Sequence, residues 1–198
     1  MTYDLSGAGG DDFAKQAGGG LVSHKRFAAA AFRLIIHQIA AGDSKLSRDG
    51  GFATADAMFR YPDFFKVGIA ESGNHDNREY EDDWGERYQG LLKRETNGKT
   101  NYDDQANQNL AKNLKGHLLL AHGTMDDNVP PYNTLLVVDA LIKANKDFDL
   151  LMLPNQRHGY GNASNYMTRR RWDYFVRYLL GAEPPKNYEL RPPAAPGP

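Results

Sequence analysis

The chain of 198 residues contains no cysteine. That removes disulfides, thiolate nucleophiles and thiolate metal ligands at once. Neither sign of charge dominates: Lys+Arg number 24 against 25 Asp+Glu, a formal net charge of −1. There is no basic surplus of the kind that binds nucleic acid or an anionic membrane, and neither partner is expected. Long apolar runs are missing too. The most apolar stretch, RFAAAAFRLIIHQIAA (26–41), is too short to span a bilayer and carries Arg33 and His37 inside it. It lies behind Asp11 and Asp12, too far from Met1 for a secretory segment, and reads as an alanine-rich soluble helix. Cytoplasmic placement is the default expectation. Metal-ligand spacing is also lacking. NHDNREYEDDWGE (74–86) gathers His75, Asp76, Glu79, Glu81, Asp82 and Asp83, but in no zinc or calcium pattern, and reads as a solvated acidic loop. No metal and no cofactor is expected.

What is present is punctuated and periodic. The first 20 residues, rich in glycine and aspartate, read as loop. From Gly50 the character changes. GFATADAMFRY (51–61) sets Phe52, Ala55, Met58 and Phe59 on one helical face, with Pro62 as its stop. KVGIA (66–70), HLLLAHG (117–123) and DFDLLMLP (147–154) are apolar runs suited to buried parallel strands. Residues 71–116 are polar, with a helix expected near WGERYQGLL (84–92). PYNTLLVVDALIKANK (131–146) opens on proline and reads as a helix, as does RRRWDYFVRYLLG (169–181), whose arginines read as a solvated face. The end of the chain, EPPKNYELRPPAAPGP (183–198), is proline-rich and extended. Strands alternating with helices give an α/β fold with a mostly parallel sheet flanked by helices. The expected organisation is an atypical leader (1–48), an α/β region (49–185) and a proline-rich tail (186–198).

Functional groups of such sheets collect beyond the carboxyl ends of the strands. That directs attention to HGTMDDNVPP (122–131) and PNQRHGYGN (154–162), and so to Asp126 and His158. Aspartate then histidine is the chain order that an α/β-hydrolase places after its serine. Histidine takes the serine proton, and a buried carboxylate holds the imidazole in the right tautomer. The serine itself belongs in a strand-to-helix elbow, G-x-S-x-G. In LSRDGGF (46–52), Gly50 and Gly51 fit the end of that pattern, Arg48 stands where the serine should, and Ser47 is one residue early.

These residues resemble the prolyl oligopeptidase family of serine peptidases, its dipeptidyl-peptidase IV-like branch above all. The resemblance is carried by GGFATADAMFRYPDFFKVGIAESGNHDNREYEDDWGERYQG, LLLAHGTMDDNVPPYNTLLVVDALIKANKDFDLLMLPNQRHGYG and RRRWDYFVRYLLG, from about Gly50 to Pro185. It implies the C-terminal part of an α/β-hydrolase catalytic domain, with Asp126 as triad acid and His158 as triad base. Asp127 and Asn128 match residues that shape the loop beside the acid. The family's β-propeller and early sheet strands have no counterpart in these motifs.

Two outcomes stay open. Ser47 is the nucleophile if the strand slips by one residue, giving a hydrolase that acts on peptides or small esters. If Arg48 fills the place, the domain is a non-catalytic remnant or binding module, its residues before about 49 being of other origin. A partial sheet also leaves an edge at which a second copy could pair, giving a homo-oligomer.

Overall fold

The computed structural model describes residues 47–190, with side chains from Gly50 onward. The alanine-rich stretch 26–41 and most of the leader lie outside them. Residues 47–164 belong to one compact unit; from Asn165 the chain belongs to another.

The first unit opens with α1 (Ser47–Arg60), runs into β1 (Val67–Glu71) and wanders through α2 (Asp82–Gln89) and the short α3 (Asn107–Leu110). It returns as β2 (His117–Gly123), α4 (Tyr132–Lys143) and β3 (Asp149–Leu153). The strands form one parallel sheet in the order β1-β2-β3, with Ile69 opposite Leu119 and Leu119 opposite Asp149. The α/β reading of the sequence holds. β2 is flanked on both sides, and Leu118 to Gly123 are all buried, so the run is apolar without alternation.

One face of the sheet packs against α1 and α4. Ala55, Met58 and Phe59 of α1 meet Ala70, Leu118 and Leu120 of the strands and Val137 and Leu141 of α4 in a single cluster. The spacing of the α1 residues is the i, i+3, i+4 stripe of a helix with one buried face. Among the described residues no helix is long and apolar enough to cross a membrane.

Element ends differ from expectation by local chemistry. α1 begins at Ser47, not at Gly50, and stops at Arg60 ahead of Pro62. α2 ends at Gln89 because Gly90 takes a left-handed φ of 74° and turns the chain away. α5 (Ser164–Phe175) starts before the three arginines and passes into a π-helical turn, Val176–Leu180, stopped by Gly181 at φ 66°. Arg169, Arg170 and Arg171 are half-buried and not a fully solvated face, with Arg170 Nη1 3.7 Å from Asp173 Oδ2.

The largest correction concerns residues 74–86. Glu79, Glu81, Asp82 and Asp83 are exposed, but His75 and Asp76 are 0% and 3% exposed. Asp76 accepts from Arg78 Nη2 at 2.7 Å and Gln108 Nε2 at 2.5 Å, and Arg78 also donates to Asp103. His75 Nδ1 lies 2.9 Å from the Asn107 amide, which also donates to the Phe52 carbonyl. His75 and Asp76 are therefore part of a polar core tying α1 to α3, while the later acids are solvated as expected. Buried carboxylates and imidazoles need such partners.

Gly51 is required by contact. A Cβ there would lie 2.3 Å from the Glu71 carbonyl oxygen and 2.6 Å from Gly73 Cα, both backbone atoms that cannot swing aside. Gly51→Ala is expected to cost ~1–3 kcal/mol as overpacking. A lowered urea midpoint at unchanged m-value would show it; an unchanged midpoint would mean that α1 is not seated on the end of β1.

Candidate active site

β2 and β3 are neighbours, and their carboxyl-end loops are knitted together. Thr124 N donates to Leu153 O at 3.0 Å, Met125 N to Gln156 O at 2.9 Å, and Asn155 N to Thr124 Oγ1 at 2.9 Å. Gly123 permits the approach, because a Cβ there would meet the Gln156 carbonyl oxygen at 2.3 Å. This crossing brings Asp126 and His158, 32 positions apart in the chain, within one hydrogen bond.

His158 Nδ1 is 2.8 Å from Asp126 Oδ2. The aspartate side chain is wholly buried, and the histidine retains 12% exposure. Asp126 Oδ1 accepts from the backbone N–H groups of Asn128 at 3.0 Å and Val129 at 2.9 Å, an aspartate-centred turn. Burial alone would raise the Asp126 carboxyl. The hydrogen bonds from His122, His158 and the Val129 backbone outweigh it and hold the group well below the usual carboxylate range. The carboxylate is thus a fixed negative charge beneath an imidazole whose Nδ1 must carry hydrogen, leaving Nε2 as the basic nitrogen.

Asp127 points outward and pairs with Arg157, beside the histidine. Asn128 Oδ1 accepts from Tyr80 Oη at 3.0 Å, linking the acid loop to the segment after β1. At the end of β1, Ser72 is buried in a left-handed conformation, φ 45°, and its hydroxyl donates to Tyr160 Oη at 3.4 Å. Tyr160, also left-handed at φ 66°, reaches back to the Ala121 carbonyl at 3.3 Å. Two non-glycine residues in that region beside His158 mark a tightly determined corner. Ser47 contributes the first backbone residue of α1. Its side chain, like that of Arg48, lies outside the described side chains.

Beyond the carboxyl end of β1 lies a cavity of about 370 Å³ lined by Phe52, Asn74, Asn77, Trp84, Tyr88 and Gln89 with two further amide residues. Amide groups and aromatic rings dominate its walls.

Sequence reasoning passed over several of these residues. His122 carried a signal: it sits four positions before Asp126, at the end of an otherwise apolar strand, where a polar side chain needs a reason. Tyr160, Ser72 and Tyr80 carried none, since each acts through a partner distant in the chain.

Residues 42–182 match the Prolyl oligopeptidase family, and the chain belongs to it. The match starts upstream of Gly50 and takes in Ser47, Arg48 and Asp49, earlier than the motifs alone had placed it. The chain is 31% identical over 130 residues to the dipeptidyl peptidase family member 1 of Caenorhabditis elegans, covering 65% of this chain and 15% of that protein. Among solved structures, a putative dipeptidyl aminopeptidase IV from Bacteroides ovatus superposes with a TM-score of 0.59 at 34% identity, over 65% of this chain and 18% of that one. Porphyromonas gingivalis dipeptidyl peptidase 4 gives 0.57 at 30% identity, over 67% and 18%. The chain therefore corresponds to part of a catalytic domain of the α/β-hydrolase kind and spans less than a fifth of these relatives' length.

Proposed function

We propose that the chain is the acid-and-base half of a serine peptidase-type hydrolase, acting on short peptides or activated esters, with Ser47 as nucleophile. The observation that carries this reading is the 2.8 Å contact between His158 Nδ1 and a wholly buried Asp126 carboxylate whose other oxygen is already capped. A carboxylate so held serves no solvent-facing purpose. Its use is to orient an imidazole and to stabilise the imidazolium.

In this reading His158 Nε2 accepts the Ser47 hydroxyl proton as Oγ attacks the substrate carbonyl. The same proton passes to the leaving amine or alcohol as the acyl bond breaks. Water, deprotonated in turn by His158, releases the acid and restores the serine. Ser47 is the hydroxyl that stands nearest the serine position of the elbow motif, one residue before Arg48. The competing non-catalytic reading rests on Arg48, which holds the serine position of the motif.

The test is turnover of a dipeptidyl arylamide and of a small activated ester by wild-type chain and by Asp126→Asn. Substituting the carboxylate by its amide favours the wrong imidazole tautomer and is expected to reduce kcat ~10⁴-fold, with a smaller change in KM. Equal rates in the two proteins, or none in either, would count against a hydrolase.

A further inference from the structure

The geometry points to His122 as a positioning residue that fixes the Asp126 carboxylate for His158. This rests on the Asp126–His158 pair being the working acid and base. His122 is 0% exposed at the end of β2, and its ring is held on both edges. Nδ1 is 2.7 Å from Thr134 Oγ1; Nε2 is 2.9 Å from the Val129 carbonyl and 3.3 Å from Asp126 Oδ2.

The partners decide the tautomer. A carbonyl and a carboxylate can only accept, so Nε2 carries the hydrogen, shared between them. Nδ1 therefore accepts from the Thr134 hydroxyl at the start of α4. Asp126 Oδ2 then receives the His158 N–H at 2.8 Å and has the His122 Nε2–H 3.3 Å away, while Oδ1 receives two backbone N–H groups. Three hydrogen bonds and the His122 contact together hold the carboxylate in one orientation. The Val129 peptide is held from both sides as well, its N–H on Oδ1 and its carbonyl on His122 Nε2. His122 thus closes a ring of contacts joining β2, the acid loop and α4. The sharing also draws charge from Oδ2, so His122 moderates how strongly Asp126 holds the proton of His158.

His122 faces Asp126, Thr134, Val129 and the buried His75, with which it interacts electrostatically. His158 faces Asp126, and the exposed Arg157–Asp127 pair stands beside it.

The experiment is imidazole nitrogen NMR on the full chain, wild type, His122→Leu, His122→Gln and Thr134→Val, as a function of pH. In wild type, the His122 hydrogen is expected on Nε2. In His122→Leu the His158 midpoint should rise by about half a pH unit or more, and in His122→Gln, whose amide restores a donor, it should return toward wild type. A purely structural role for His122 would not move that midpoint. Loss of the Thr134 hydroxyl should mix the His122 tautomers, which keeps the inference testable if His122→Leu does not fold. An Nε2 lacking hydrogen in wild type, or a His158 midpoint identical in wild type and folded His122→Leu, would overturn it. Absence of turnover would leave these titrations unaffected, so failure of the hydrolase reading is seen separately.

Discussion

His158→Ala should abolish hydrolysis, lowering turnover by ~10⁴-fold or more while leaving the fold intact. The first half of that expectation follows from chemistry. A serine hydroxyl is a weak nucleophile until a neighbouring base takes its proton, and His158 is the imidazole that Asp126 orients. The second half follows from packing. His158 is on a loop, its side chain 12% exposed and outside the main hydrophobic cluster, so its truncation leaves that cluster intact. Asp126 would still be held by His122, Asn128 and Val129. Activity lost at nearly constant Tm is therefore the signature, read by steady-state turnover and thermal unfolding on the same sample. Comparable turnover in the variant would remove His158 from the chemistry.

The second large effect is on acid stability and lies in His75. Burial, with a smaller contribution from His122, pushes its pKa down to about 3 from an ordinary value near 6.5. The sign follows from proton counting. Between those two values the unfolded chain binds a proton at His75 that the folded chain does not, so stability rises with pH across that window. The contribution is complete above about 6.5 and is lost as pH falls, at ~1.4 kcal/mol per pH unit, on the order of 4 kcal/mol by pH 3. Asp126 adds to the loss at lower pH. Its folded pKa is depressed, so its stabilisation is present above the unfolded value near 4 and fades as pH falls below that. Urea unfolding of wild type and His75→Gln between pH 4 and 8 checks this. The wild-type slope should exceed that of the variant by about one proton, and equal slopes would mean that His75 titrates normally in the fold.

These sites were legible to different degrees, for physical reasons. HLLLAHG is β2 at both ends, His117 to Gly123, because a strand buried on both faces must be apolar throughout. Asp126 and His158 stood out because strand ends in a parallel sheet all face one side, which two short loops are enough to reveal. The buried state of His75 and Asp76 was not legible. Their partners, Asn107, Gln108 and Asn133, come from positions roughly 30 to 60 residues on, and nothing local distinguishes this stretch from a solvated acidic loop. His122 was half-legible: the polar side chain in an apolar strand was visible, but its bonds to Thr134 and Asp126 depend on how α4 is set against β2. That α1 extends ahead of Gly50 was missed because Gly50 and Gly51, poor residues for a helix interior, suggested a boundary there. Gly51 is in the helix for its close approach to Glu71 and Gly73, not for its propensity.

We propose above that His158, oriented by Asp126, activates Ser47. The most direct measurement of that activation is reaction of the full chain with a fluorophosphonate, followed by intact mass and peptide mapping, with Ser47→Ala and His158→Ala alongside. One adduct is expected, on Ser47, and it should disappear in both variants. A well-folded wild-type protein that takes up no adduct, or an adduct that survives both substitutions, would contradict it.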